Sequence, residues 1–228
     1  MSERFHVEST PSGGRAALTG DEARHLARVL RAKPGDAVTL FDGRGGAWTA
    51  RVAAVGRDRV DLDVGERLPP NPPPRASVTI AVALPKGDRQ KWLVEKLAEL
   101  GVESLLPLVT TRGVAEATDA ARARLERGVI EACKQCGRDR LMTILPPATL
   151  AGAIATAGAD TAILLADPAG APLAEPHAGR VLVLVGPEGG FTPEEIEAAT
   201  AAGARRVALG RHVLRIETAA IAAAARLA

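Results

Sequence analysis

The sequence predicts an α/β protein in two parts: a small β-barrel, then a mostly parallel sheet with helices on both faces. Three observations carry this. Residues 1–68 hold short alternating segments around one helical stretch. Pro69 to Arg75, PPNPPPR, reads as a stiff extended linker. Beyond it, residues 76–228 alternate continuous apolar runs with helix-length segments, the pattern of strands covered on both sides.

In chain order, Asp21-Glu22 open a helical pattern with Leu26, Val29 and Leu30 as its apolar stripe, and Lys33-Pro34-Gly35-Asp36 ends it. Ala37 to Phe41, Ala47 to Val55 and Val60 to Val64 read as strands. After the linker, Val78 to Leu84 is a buried strand, followed by a helix with Trp92, Leu93, Leu97 and Leu100 inward and Gly101 as its stop. Val102 to Leu108 is the next strand, and a long helix spans about Asp119 to Gln135. Further strands fall at Thr161 to Ala166, Val181 to Val185 and Arg206 to Leu209, and an Ala-rich helix opening at Thr218 closes the chain.

Composition narrows the classes. Of 228 residues, 46% are apolar and 25% charged, with a net charge of +2, so nucleic-acid binding is permitted but not demanded. The 24 Arg against 5 Lys suit phosphate contacts and equally a genomic bias. Aromatics are 2% with no Tyr, which argues against stacking platforms for single strands. MSERFHVEST lacks the apolar core of a signal peptide, and no run of eighteen apolar residues occurs, so the expected setting is cytoplasmic with no membrane partner. Cys133 and Cys136 form a lone CKQC without a second pair or finger-spaced His; they read as structural, and no metal is expected.

Three stretches could carry chemistry. Val181 to Val185 runs into Gly186-Pro187-Glu188-Gly189-Gly190, then Thr192, Pro193 and Glu195 as N-cap, first helical residue and capping box. The glycines let the backbone approach a ligand. Neither a dinucleotide GxGxxG nor a P-loop fits the spacing, and Glu188 disfavours a phosphate, leaving an uncharged or cationic ligand. The second stretch, LGRHVLRIETAA at 209–220, places Arg215 and Glu217 between a strand end and a helix start; it reads as a ligand turn or a charged surface turn. The third comprises basic groups: Arg24, Arg28 and Arg31 at i, i+4 and i+7 with His25 beside them, and Lys86 with Arg89. Each is a phosphate grip or a solvated helix face.

Taken together, Arg24-His25-Leu26 with Val29-Leu30-Arg31, Lys86 to Arg89, KLAELGV at 96–102, GPEGGF at 186–191 and the LR-x-ET signature at 214–218 resemble the 16S ribosomal RNA uracil-N3 methyltransferase family of the SPOUT superfamily. Glu131-Ala132 and Gln135 to Arg138 add to the match. Lys91, His212 and Ile216 depart from the family pattern, which bears on specificity rather than activity. The resemblance implies a PUA-like RNA-binding barrel and a SPOUT domain with a deep trefoil knot. It also implies S-adenosyl-L-methionine as cofactor, a homodimer, and 16S rRNA in the assembled small subunit as partner. It assigns Leu165, Gly186, Glu188, Gly190, Leu209, Gly210 and Leu214 to the cofactor, and Arg24, His25, Arg28, Arg31, Lys86 and Arg89 to RNA. Arg215 stabilises charge on the base or holds the nucleotide, and Glu217 is the base or orients Arg215. The alternatives are a 2′-O-ribose methyltransferase of the same superfamily and an inert RNA-binding protein.

Overall fold

The computed structural model describes residues 3–113, 119–173 and 178–228. They form two compact units, Met1–Pro72 with Ile130–Leu141, and Pro73–Val129 with Met142–Ala228.

The first unit contains β1 (Arg4–His6), β2 (Arg15–Thr19), α1 (Gly20–Arg24), a π-helical turn (His25–Val29), β3 (Ala37–Phe41), β4 (Ala47–Val55) and β5 (Arg59–Arg67). The sheet order is β1-β3-β4-β5-β2; β1 runs parallel to β3 and the other pairs are antiparallel. Period-two patterning sets the inner face. Ala50 and Val52 on β4, and Val60 and Leu62 on β5, are buried, while Arg51 and Asp63 are exposed. Register shifts between β4 and β5 at Trp48/Ala50 and Val52/Ala54 bend the sheet around a core of Phe5, Leu18, Leu26, Leu40, Val52, Val60 and Leu62.

The helix of this unit departs from expectation. It is α-helical only to Arg24, and the π turn after it has Leu30 N donating to His25 O at 3.1 Å and Ala32 N to Leu26 O at 3.1 Å. Arg31 is left-handed at φ 54°, the one positive-φ residue other than glycine among the described residues. The extra residue in the turn rotates the positions after it, so Leu26 is buried while Val29 (68%) and Leu30 (37%) face solvent. The expected apolar stripe therefore breaks after Leu26, and Arg31 leaves the face expected to hold Arg24 and Arg28.

Residues 130–141 are tied to the first unit by specific pairs. Asp139 is buried, pairs with Arg4, donates its N–H to Asn71 Oδ1 at 2.7 Å and accepts from Gly45 N at 3.1 Å. Lys134 Nζ lies 3.0 Å from Glu22 Oε1 and 5.5 Å from the centre of the Phe5 ring. No disulfide joins Cys133, which is buried, to Cys136, which is exposed.

The second unit comprises β6 (Ala76–Val82), α2 (Asp88–Glu99), β7 (Ser104–Val109), α3 (Asp119–Cys136, shared with the first unit), β8 (Thr143–Ile144), β9 (Ala148–Thr149), α4 (Leu150–Ala155), β10 (Thr161–Pro172), β11 (Gly179–Val185), α5 (Pro193–Ala201), β12 (Arg205–Ala208) and α6 (Ile216–Leu227). The seven-stranded sheet runs β12-β10-β11-β6-β7-β8, with β9 also on β7, and every pair is parallel. Helices cover both faces as expected: α2 and α6 pack together on one, α4 and α5 on the other. Leu182 and Leu184 of β11 meet Leu150, Ala153, Phe191 and Ala199 on the second face. α2 ends in a Schellman motif, with Gly101 at φ 89°, Gly101 N donating to Ala98 O and Val102 N to Leu97 O. Trp92, expected inward, is 46% exposed; Leu93, Val94, Leu97 and Ala98 already fill the inward face. Among the described residues, no helix is long and apolar enough to cross a membrane.

Candidate active site

Because β12, β10 and β11 are adjacent and parallel, the segments leaving their C-terminal ends converge, which is where open α/β sheets place ligands. They enclose a cavity of about 210 Å³. Leu165, Gly186, Glu188, Gly190, Leu209, Gly210 and Leu214 all lie on its wall, so the residues assigned to a cofactor come together in one place.

Each wall has a local cause. Gly190 adopts φ 68°, which lets the chain turn out of β11. Gly186 faces the Phe191 ring so closely that a Cβ there would stand 3.1 Å from it. Thr192 then caps α5 in a full capping box: Glu195 N donates to Thr192 Oγ1 at 3.2 Å and Thr192 N to Glu195 Oε2 at 2.8 Å. The same carboxylate accepts from Thr111 N at 2.9 Å and Thr111 Oγ1 at 3.0 Å. Partial burial opposes ionisation of Glu195, but these donors outweigh it and hold the carboxyl below its ordinary 4.5. Arg112 Nη1 donates to Gly189 O at 2.7 Å, tying the glycine turn to the end of β7.

Of the third wall, on β10, only Leu165 was anticipated from the sequence. β10 continues past Ala166 to Pro172 with a register shift between Ala166 and Ala171, and Asp167 and Pro168 in the shifted part line the cavity. Asp167 is fixed by Arg206 Nε at 2.7 Å and by Ala169 N at 2.8 Å. Phe191, Ile196, His212, Val213, Ile216 and Ala219 also line the cavity, although residue type and spacing did not single them out for it. Phe191 lies within the GPEGGF motif, which could have found it; Asp167 could not be found, because a bulge leaves no mark in composition.

The last helix starts at Ile216, not at Thr218, and Arg215 occupies the N-cap position without a side-chain cap. Burial decides this: Ile216, Glu217, Ala219 and Ala220 all turn inward, so the helix begins where the apolar face begins. Neither Arg215 nor Glu217 is on the cavity wall. Arg215 is exposed and forms no ion pair with the described residues. Glu217 is only 5% exposed, and its Oε2 accepts no hydrogen bond.

Arg89, rather than Arg215, is the partner of Glu217. Its Nη1 lies 3.7 Å from Glu217 Oε2 and its Nη2 lies 3.4 Å from Glu188 Oε1. One guanidinium thus joins the glycine turn after β11 to the first turn of α6. Arg89 and Lys86 also line a smaller cleft of about 200 Å³ with Ala83, Leu84, Leu108 and Gly113, and this cleft shares Pro187 and Glu188 with the cavity.

The remaining basic residues belong to the first unit. Arg24 pairs with Asp21, and the half-buried His25 ring packs edge-on against Phe5 at 6.1 Å. Arg28 and Arg31 are exposed.

Residues 71–228 match the RNA methyltransferase domain, and residues 18–65 match the RNA methyltransferase PUA domain. Ribosomal RNA small subunit methyltransferase E of Mycobacterium bovis is 35% identical over 239 aligned residues, covering 96% of this chain and 88% of that protein. The chain belongs to this methyltransferase family. The Synechocystis protein of the same name is 34% identical, over 92% of this chain and 71% of its own length. Among solved structures, the Neisseria gonorrhoeae enzyme bound to S-adenosyl methionine superposes with a TM-score of 0.91 at 32% identity, covering 99% and 96% of the two chains. A Legionella pneumophila methyltransferase in complex with the same cofactor gives 0.89 at 30%, over 98% and 96%. The PUA-like first unit and the parallel-sheet second unit are thus family features.

Proposed function

We propose that the protein transfers a methyl group from S-adenosyl-L-methionine to N3 of a uridine in 16S rRNA of the small subunit, acting as a homodimer. The observation that carries this is the convergence of all seven cofactor-assigned residues on one cavity. The donor set suits this cofactor. Leu165, Phe191, Leu209 and Leu214 offer apolar walls, and Asp167 and Glu188 are acidic groups compatible with a sulfonium. Small residues at 186, 190 and 210 let backbone approach the ligand.

The cofactor supplies an electrophilic methyl group. N3 of uracil forms the new C–N bond as the carbon–sulfur bond breaks, and the N3 proton must leave. That hydrogen lies on the pairing edge, so the base has to be unpaired. Arg215, exposed beside the cavity-lining Leu214, is free to stabilise negative charge spreading onto O2 and O4, or to hold the nucleotide. Of the two carboxylates that Arg89 joins, Glu188 is on the cavity wall and Glu217 is buried. That difference supports Glu188 as the proton acceptor and Glu217 as an anchor, with Arg89 rather than Arg215 as its partner. Alignment of the methyl carbon with N3 supplies much of the remaining acceleration. Arg24, Arg28 and Arg31 in the first unit and, separately, Lys86 in the second are assigned to RNA phosphates, and His25 supports the first unit's basic turn.

Deleting the gene and analysing 16S rRNA nucleosides by mass spectrometry tests the reading. Loss of 3-methyluridine, restored by the intact gene but not by an Arg215→Ala copy, is expected. Persistence of 3-methyluridine in the deletion strain would sink the assignment, and loss of a 2′-O-methylated nucleoside instead would redirect it.

A further inference from the structure

The exposed apolar pair on the π turn of the first unit has no part in methyl transfer at the cavity. Helical periodicity would bury Val29 and Leu30, yet the π turn and the left-handed Arg31 bring them to the surface. A left-handed conformation at a residue with a Cβ is disfavoured, and π turns concentrate at functional sites. Leu26 is the fully buried residue of this turn and Ala27 and Ala32 pack against the core beside it, so the core takes in neither Val29 nor Leu30. Around the pair, Arg28, Arg31 and Lys33 are exposed and form no ion pairs with the described residues. The acids nearest in sequence are engaged: Asp21 with Arg24, Glu22 with Lys134, and Asp36 with the backbone N–H of Lys33. An apolar tip flanked by unpaired cations complements a polyanion that also exposes flat apolar faces. Duplex RNA hides those faces; an unpaired strand presents them.

We infer that Val29 and Leu30 form an aliphatic platform for one or two unpaired bases of the RNA, while Arg28 and Arg31 hold the adjoining phosphates. The inference rests on the proposed RNA-directed function and adds to it the strand state that the first unit selects. With no Tyr and few other aromatics in the chain, an aliphatic pair takes the place that aromatic rings fill in other single-strand binders. Apolar contact with a base is independent of salt, whereas each phosphate contact contributes to the salt slope. The two kinds of contact therefore separate experimentally.

The full chain is titrated with a labelled unpaired oligoribonucleotide and with its duplex, each at several potassium chloride concentrations. Val29→Ser is expected to raise Kd for the unpaired strand about three- to tenfold at every salt concentration, with the slope unchanged and duplex binding unaffected. Arg28→Ala is expected to flatten the slope by roughly 0.7 on the unpaired strand. Val29→Trp, which enlarges the platform, is expected to tighten unpaired binding severalfold. Wild-type affinity for the unpaired strand in Val29→Ser, with thermal unfolding unchanged, overturns the platform but leaves the methyltransferase reading standing. The same result with an altered sedimentation coefficient overturns it too, and assigns the pair to a protein contact. Absence of RNA binding by the unaltered chain overturns both.

Discussion

At the ends of β10, β11 and β12 the chain lines a half-open, mostly apolar cavity whose acidic groups Asp167 and Glu188 pair with Arg206 and Arg89. At the π turn of the first unit it does the reverse: the apolar side chains are outside, and Arg28, Arg31 and Lys33 beside them form no ion pairs among the described residues. The contrast fits the ligands proposed for the two regions. A cavity of about 210 Å³ takes a small molecule, gains from excluding water and is fixed by local hydrogen bonds. A surface turn can meet only something extended, and unpaired charge there attracts a polyanion at long range. On the proposed function, the first region positions a cofactor and the second captures RNA.

Four measurements test that contrast. Arg215→Ala should lower the methyl-transfer rate by about 10²- to 10³-fold, while calorimetric cofactor affinity stays close to wild type. A parallel loss of cofactor affinity would move Arg215 from the reaction to the binding wall. Within the π turn, Leu26→Ala should cost about 2–5 kcal/mol in denaturant unfolding. Val29→Ala should stay within about 0.5 kcal/mol, and equal costs would show that Val29 packs inward in solution. In the second unit, Gly170→Ala places a Cβ 2.6 Å from the backbone of Arg206 and Val207. A loss of about 1–3 kcal/mol is expected, with a weakened cofactor site because Asp167 and Pro168 belong to the same bulge.

The smallest effect concerns pH. Glu195 has its carboxyl lowered in the folded state, so its contribution is fully present above its ordinary 4.5 and is lost as pH falls from there through the folded value. Glu195→Gln should therefore flatten the acid limb of the stability profile. An unchanged limb would show that Thr111 and Thr192 are not its donors in solution.

Legibility differed between the regions for a physical reason. The GPEGG turn, Thr192, Pro193 and Glu195 interact within a few residues, so the capping box was readable and occurs as read. The limits of β4 came from alternation, and those of β3 were also read as they occur. β1, β2 and α4 were not anticipated, since short elements leave too little pattern. The stripe through Val29 and Leu30 assumed 3.6 residues per turn, and the π turn inserts a residue without any compositional mark. Thr218 looked like a cap because its residue type favours caps; burial of Ile216 and Glu217 moved the helix start two residues earlier.

The sequence alone carried the alternation of strands and helices and the family, and through the family resemblance it proposed a set of cofactor residues that the structure brings to one cavity. All of these rest on local pattern or on motifs with fixed spacing. Only the tertiary structure decided that Arg89 joins Glu188 to Glu217, that Asp167 enters the cavity through a bulge, and that Val29 and Leu30 point to solvent. Those outcomes depend on which distant segments meet and on how one turn is wound, and neither is encoded in the spacing of residue types.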